Sequence, residues 1–356
     1  MVIKSSFRKY QTLLEMKHNT SLKWFACGAA LSVGSGIFLS LGWPFFHFIT
    51  YAGKKKNGQQ TKDGAEKRKK WFRLKHTQVN HPKHKYEKEY NETKAWCEAQ
   101  EMQDWYIHST DGYRLHASYL PVKDAKRIVL LSHGYRGTRF GSIAHIAPYL
   151  HDHQCDLLFL DQRCCGESEG EYITFGAKEQ LDILGWIRKI NENNPEKLPI
   201  YLYGQSMGAT SVLLAAGHDL PKEVKGVIAD CGFHSMKQQL RDIASGWFHL
   251  HYVELLLWRV DIFCRLFAGF SMKETDTTKA LQQNRLPILF FHGERDTYVW
   301  PENTCKNFEL CRASKELMMV PGARHLCSSY AAPEHYKKKL SHFFQKCERN
   351  VEDGDL

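Results

Sequence analysis

No two of the 11 cysteines in this 356-residue chain are spaced Cys-x-x-Cys, and their number is odd. Cys164 and Cys165 are adjacent, a spacing that suits neither a disulfide framework nor a zinc ligand set, so the cysteines read as reduced thiols. No internal repeat is present. Acidic residues are scarce through Asn91, with five against 18 lysines and arginines, a net of +13. The whole chain carries +10, so the remainder carries −3 and the basic excess belongs to the N-terminal arm. That arm has few aromatics to interleave with its charges beyond Trp71-Phe72, which argues against nucleic acid as a partner. The histidines His76, His81 and His84 sit among its lysines and read as solvated side chains, not metal ligands.

Charge is missing altogether from Trp24 to Gly53, a run of 30 residues. A bilayer core needs about 20 apolar residues. Trp24, Trp43 and Tyr51 suit the two interfaces, and Pro44 is expected to kink or end the helix. The expected organisation is a basic tail over 1–23, a single transmembrane anchor over 24–50 and a basic linker over 51–100. A folded domain over 101–350 follows. A cleaved leader fits less well, because the apolar run is long and Thr50-Tyr51-Ala52 is a poor cleavage site. Lys54-Lys55-Lys56 and Lys67-Arg68-Lys69-Lys70 would meet anionic headgroups. Five basic residues precede the uncharged run, and eight lie between Lys54 and Phe72. This excess, with the reduced cysteines, favours a single-pass membrane protein whose folded domain is cytoplasmic.

What the chain does have is Gly204-Gln205-Ser206-Met207-Gly208. The apolar run Leu198-Pro199-Ile200-Tyr201-Leu202-Tyr203 precedes it, and a helix-forming segment from Ala209 to Ala216 follows. A strand, a tight turn with serine at its apex and a helix form the context of a nucleophile elbow. A side chain at Gly204 or Gly208 is expected to clash with neighbouring backbone. A serine hydroxyl needs a base, and the base needs an orienting acid. Leu286 to Phe291 is a second apolar run, ending in His292-Gly293-Glu294-Arg295-Asp296. Leu317 to Val320 is a third, leading into Pro321-Gly322-Ala323-Arg324-His325. Ser206, Asp296 and His325 thus follow three strand ends in the order serine, acid, histidine. Asp230, after Val227-Ile228-Ala229, is the rival acid. It is less favoured because it is not on the strand immediately before the histidine loop. The backbone N–H groups of Met207 and of Tyr135, in His133-Gly134-Tyr135, are the expected oxyanion donors.

Together with Asp111-Gly112-Tyr113-Arg114-Leu115-His116-Ala117, Asp161-Gln162-Arg163 and Gly166-Glu167-Ser168, these motifs resemble the α/β-hydrolases. The resemblance is to their serine-aminopeptidase-like and monoacylglycerol-lipase-like branch, and it runs to about Phe344. Much of the chain also resembles uncharacterised membrane-anchored bacterial hydrolases. The resemblance implies an α/β fold with a mostly parallel eight-stranded sheet and helices on both faces. The family usually has Gly and His where this chain has Cys164 and Cys165, which puts the conformation of that loop in question. Independently, short apolar runs alternate with amphipathic segments such as Gln180 to Asn191, the βαβ pattern of a parallel sheet. Trp105 to Leu120 reads as an antiparallel hairpin turning at Asp111-Gly112.

Residues 233–285 are too many for a crossover helix and read as a helical cap, with helices over 238–248 and 253–270. Trp247, Phe248, Tyr252, Trp258, Phe263, Phe267 and Phe270 make it aromatic. An apolar cap over the site favours acyl chains or aromatic esters. A grip on a free amine would want clustered carboxylates, and Asp242, Glu254, Asp261, Glu274 and Asp276 are dispersed. The expected function is a serine hydrolase cleaving carboxylic esters, monoacylglycerols or lysophospholipids among them, with no metal or organic cofactor. An aminopeptidase or thioesterase of the same fold is the near alternative. A non-catalytic, membrane-tethered interaction protein is the distant one.

Overall fold

The computed structural model describes residues 42–56, 59–60 and 82–352. Its strands are β1 (Tyr51–Lys56), β2 (Gln59–Gln60), β3 (Gln103–His108), β4 (Arg114–Leu120), β5 (Arg127–Ser132), β6 (Cys155–Asp161), β7 (Gly170–Tyr172), β8 (Ile200–Gln205), β9 (Val224–Asp230), β10 (Ile288–Gly293) and β11 (Lys315–Val320). The principal helices are α1 (Trp43–Thr50), α2 (Glu87–Glu98), α3 (Glu179–Glu192), α4 (Met207–Ala215), α5 (Met236–Phe248), α6 (Glu254–Phe263), α7 (Pro301–Leu310) and α8 (Pro333–Glu352).

Eight strands form one sheet in the order β11-β10-β9-β8-β5-β6-β4-β3. The pairs β3–β4 and β4–β6 are antiparallel, and the other five are parallel. The central strands β5, β8 and β10 are buried at every residue. That is why they read as unbroken apolar runs: helices cover both faces of a parallel sheet. On one face, α3 turns Ile183, Trp186, Ile187 and Ile190 inward, at helical spacing, beside Val212 and Leu213 of α4. On the other, Leu340, Phe343, Phe344 and Cys347 of α8 pack with Ile143, Ile146 and Leu150. The expected hairpin is β3–β4, with Gly112 at φ +86° in its turn. Buried Arg163 ties that turn to the body of the domain, bonding Asp111 at 3.0 Å and Asp182 at 2.7 Å.

The residues from 233 to 285 form a helical cap, in which α5 and α6 are followed by a π-helical turn, Cys264–Ala268. Met236, Val260, Cys264, Ala268 and Phe270 of this insertion join Phe175 and Met207 in one apolar cluster over the C-terminal edge of the sheet.

Only the last part of the N-terminal segment expected to form the anchor lies within the described residues. No helix among the described residues is long and apolar enough to cross a membrane. The tail 1–23 and residues 24–41 of the expected anchor lie outside the described residues. Trp43 to Thr50, the C-terminal part of the expected anchor, is an eight-residue helix docked on the protein. Pro44 lies in its first turn, where a missing N–H costs nothing. Phe46 is fully buried, with rings of Tyr172, Phe263 and Phe267 within about 6 Å. The expected linker 51–100 is likewise partly built into the fold. β1 pairs antiparallel with β7, and α2 buries Cys97.

Candidate active site

Ser206 follows β8 and caps α4 with φ 55° and ψ −120°, a backbone region that a serine rarely occupies. The turn is tight on both sides. A Cβ on Gly204 would sit 2.3 Å from the Gly208 carbonyl oxygen, and one on Gly208 would sit 2.0 Å from that of Ser132. Only glycine fits either position, for the steric reason expected from the sequence.

Asp296 lies just past β10 and His325 just past β11, so three neighbouring regions of the sheet edge converge. His325 Nε2 is 3.0 Å from Ser206 Oγ, and its Nδ1 is 2.6 Å from Asp296 Oδ2. All three residues are buried, none more than 6% exposed. Burial alone would raise the Asp296 carboxyl. His325 and His292 outweigh it and hold the group well below the usual carboxylate range. Its other oxygen accepts from the backbone N–H groups of Tyr298, at 2.9 Å, and Val299, at 3.0 Å. The carboxylate is therefore ionised and fixed in orientation. Asp230 is elsewhere: it accepts from Gln205 at 3.3 Å, Ser328 at 3.1 Å and Tyr336 at 3.2 Å. Burial raises its pKa, with these hydrogen bonds opposing. It supports the floor of the site and makes no hydrogen bond to His325 among these contacts.

Three residues beside the expected set shape this centre. His292 approaches Asp296 Oδ2 at 3.3 Å and is itself held by Thr304 and the Val299 carbonyl. The Tyr298 ring lies 4.9 Å from that of His325. Cys231 has its sulfur within 4.8 Å of ligand atoms of Asp296 and His325, a grouping that could in principle hold a cation. Both imidazole nitrogens are engaged, however, and burial raises the thiol well above its ordinary value. His292 stood in the sequence beside Asp296, but nothing in the pattern separated it from a strand-end histidine.

The expected oxyanion loop lies against Ser206: a Cβ on Gly134 would be 3.2 Å from the Ser206 Cβ. As the first residue of α4, Met207 has a backbone N–H with no intrahelical acceptor. His133 pins the loop. Its Nδ1 donates to the Gly134 carbonyl at 2.8 Å, and its Nε2 accepts from the Gln162 N–H at 3.3 Å. Burial lowers its pKa and keeps it neutral, as this pairing requires. The loop also grips α1. The Tyr135 hydroxyl donates to the Ile49 carbonyl at 2.7 Å, and Arg136 Nη2 donates to the carbonyls of Phe48 and Tyr51, both at 3.1 Å. These carbonyls lie at a helix C-terminal end, which attracts a cation. Sequence reasoning had no signal for this contact, because its partners are more than 80 residues apart.

Cys164 and Cys165 lie in the loop after β6, with Cys164 buried at φ +67°. That is the left-handed region glycine enters freely, so the cysteine there carries backbone strain. Burial raises the Cys164 thiol well above its ordinary value, which makes it a packing group and not a reactive one.

Residues 123–260 match the family model described as serine aminopeptidase, S33. The chain is 25% identical over 256 residues to the uncharacterised protein YqkD of Bacillus subtilis (strain 168), covering 72% of this chain and 83% of that one. It is 21% identical over 230 residues to the uncharacterised protein YfhR of Escherichia coli O157:H7, covering 63% and 69%. Among solved structures it resembles the Pyrococcus furiosus esterase Pf2001, with a TM-score of 0.57 and 24% identity over 70% of this chain and 92% of that one.

Proposed function

We propose that this chain, an α/β-hydrolase of the serine-aminopeptidase-like kind, cleaves carboxylic esters through an acyl-enzyme. The observation that carries the reading is the continuous hydrogen-bonded path from Ser206 through His325 to Asp296, set on a strained turn. Ser206 Oγ attacks the acyl carbon while His325 Nε2 takes its proton. Asp296 holds the imidazole and stabilises its cation. The N–H groups of Met207 and Tyr135 receive the oxyanion. His325 then protonates the leaving alcohol, activates water and returns the proton to Ser206 as the acid departs.

Esters are preferred over peptides with a free N-terminus because the cap carboxylates already have partners. Asp242 accepts from Gln238 and Asn303, Glu254 pairs with Lys237 and Arg241, and Asp261 serves Arg265 and the Met272 N–H. Glu274 closes a capping box, and Asp276 accepts from the Thr278 N–H. None of these is left over to grip an ammonium. The apolar cluster joining Met207 to the cap suits an acyl chain. The matched family model supports the second reading, an aminopeptidase. In the same proposal, residues 24–41 hold the enzyme at a bilayer with the hydrolase domain on the cytoplasmic side. This uncharged stretch of 18 residues remains once α1 is assigned to the fold, close to the length a span needs.

A fluorophosphonate probe should label the wild type and not Ser206→Ala; equal labelling of both overturns the nucleophile assignment. Asp296→Asn should lower turnover of a p-nitrophenyl ester by about 10³- to 10⁴-fold, whereas Asp230→Asn should retain most of it. Turnover of aminoacyl amides exceeding that of matched esters would move the assignment to the peptidase reading.

A further inference from the structure

Nine of the ten large hydrophobic side chains exposed among the described residues lie on α1 or between Phe248 and Phe267 of the cap. They are not scattered. Helix α6 buries Leu257, Val260 and, continuing into the π-turn, Cys264 and Ala268. Its opposite stripe should be polar on a helix whose outer side meets water. Instead, Leu255, Trp258, Ile262 and Leu266 recur at helical spacing there, with Leu255 51%, Trp258 53% and Leu266 70% exposed. Tyr252, at the turn before α6, is fully exposed at 101%. Patches of this kind on a folded surface mark an interaction site.

The route of the chain decides what covers it. The Trp43 ring packs on Phe267 at 4.8 Å and on Phe263 at 5.4 Å, so α1 extends the patch, adding Phe45 at 51% exposure. Gly42, immediately before, is pressed on α6: a Cβ there would be 2.6 Å from the Arg259 Cβ. The described chain therefore begins at the edge of this patch, and the uncharged stretch 24–41 joins it directly in sequence. A surface that held the segment before Gly42 would be brought close to Trp43 by the chain itself. Trp43, Trp258 and Tyr252 are the amphipathic aromatics favoured at a membrane interface. Lys54-Lys55-Lys56 follow α1 closely in sequence and suit anionic headgroups.

We propose that the outer face of the cap, together with α1, docks on the surface of the bilayer that carries residues 24–41. The docked face is the outside of the same cap whose inner residues cluster with Met207. The enzyme then lies with its cap on the lipid instead of hanging from a tether, and an ester reaches the site from the bilayer side. The inference rests on the membrane reading of residues 24–41 and not on the assignment of Ser206.

The test uses the full chain in phosphatidylcholine vesicles containing phosphatidylglycerol and a diazirine-bearing phospholipid. After photolysis, lipid adducts are mapped by peptide mass spectrometry. Adducts on 24–41, on 43–45 and on 250–267 are expected. The double variant Leu255→Glu, Trp258→Glu should lose adducts on 250–267 several-fold and keep those on 24–41. Its turnover of a short water-soluble ester should be unchanged, while turnover of a long-chain ester dispersed in the bilayer falls several-fold. Both substitutions are at exposed positions, and the soluble ester checks that the variant is folded. Adducts on 24–41 alone overturn the docking face and leave the anchor standing. Adducts on 250–267 without 24–41 overturn the anchor on which the proposal rests, and with it the proposal as stated. Protein–protein cross-links between two copies through 255–266, without lipid adducts there, overturn the proposal in favour of self-association.

Discussion

His145 stacks on Tyr330, ring centroids 3.7 Å apart, with its Nδ1 3.2 Å from the Ser329 hydroxyl. Burial, and then the charge of Lys337, push its pKa down to about 4. An unfolded histidine titrates near 6.5. Between those values the unfolded chain takes a proton that the folded chain refuses. Stability from this group is therefore complete above about pH 6.5 and is lost as pH falls toward 4, by about 3 kcal/mol at most. His145→Phe keeps the stacking and removes the titration. The drop in melting temperature between about pH 7 and pH 4.5 should be smaller in the variant; parallel curves would show that His145 does not set the acid limit. The same scale shows what residue types reveal by themselves. Gly204 and Gly208 were readable as steric necessities because the backbone they touch is local to the elbow or to its neighbouring strand. Cys164 was readable only as an oddity, since its positive φ is a property of the folded loop.

At the level of elements, the site was legible wherever a short apolar run led into a polar loop. β8, β10 and β11 each announce Ser206, Asp296 or His325 in that way, because a parallel sheet delivers its strand ends to one edge. The cap was legible as an interruption of the βαβ rhythm. What stayed hidden was α1 and the grip that the Tyr135-Arg136 loop has on it. Hydropathy measures only how apolar a segment is, and Trp43 to Thr50 is as suited to a protein groove as to a lipid. The consequence is testable at Arg136, which adopts φ +52° and bonds two carbonyls at the end of α1. If the Tyr135 N–H receives the oxyanion, as proposed above, Arg136 acts on the reaction through the position of that N–H, without touching the reacting atoms. Complete loss of an oxyanion donor costs about 10²- to 10³-fold in kcat, so displacement of one should cost about tenfold. Arg136→Ala should therefore lower kcat by about tenfold with KM nearly unchanged, and Arg136→Lys should recover part of it. A change confined to KM would show that Arg136 shapes binding instead.

The whole molecule divides unevenly by charge, with +13 through Asn91 and −3 beyond it, and that division suggested a boundary near residue 100 between arm and enzyme. The packing puts the boundary earlier. Phe46 is fully buried in the cluster that also holds Met207 and the cap. β1 gives β7 an antiparallel partner, and Cys97 is buried with Val129 and Leu157 of the central sheet. Burying a Phe side chain is worth about 2–3 kcal/mol. The hydrogen bonds from Arg136 add about 1.5–3 kcal/mol each as bonds of a charged donor. A chain beginning at residue 101 forfeits all of these and leaves the Tyr135-Arg136 loop without its acceptors on α1. The sum, about 5 kcal/mol or more, corresponds to a fall of at least about 10 °C in melting temperature for a domain of this size. A chain beginning at residue 42 keeps every one of these contacts and should melt above the shorter chain by that margin, with higher turnover of a soluble ester. Equal melting temperatures would mean that α1, β1 and α2 are passengers. In that case the segment before residue 101 would be a tether after all, as its charge alone suggests.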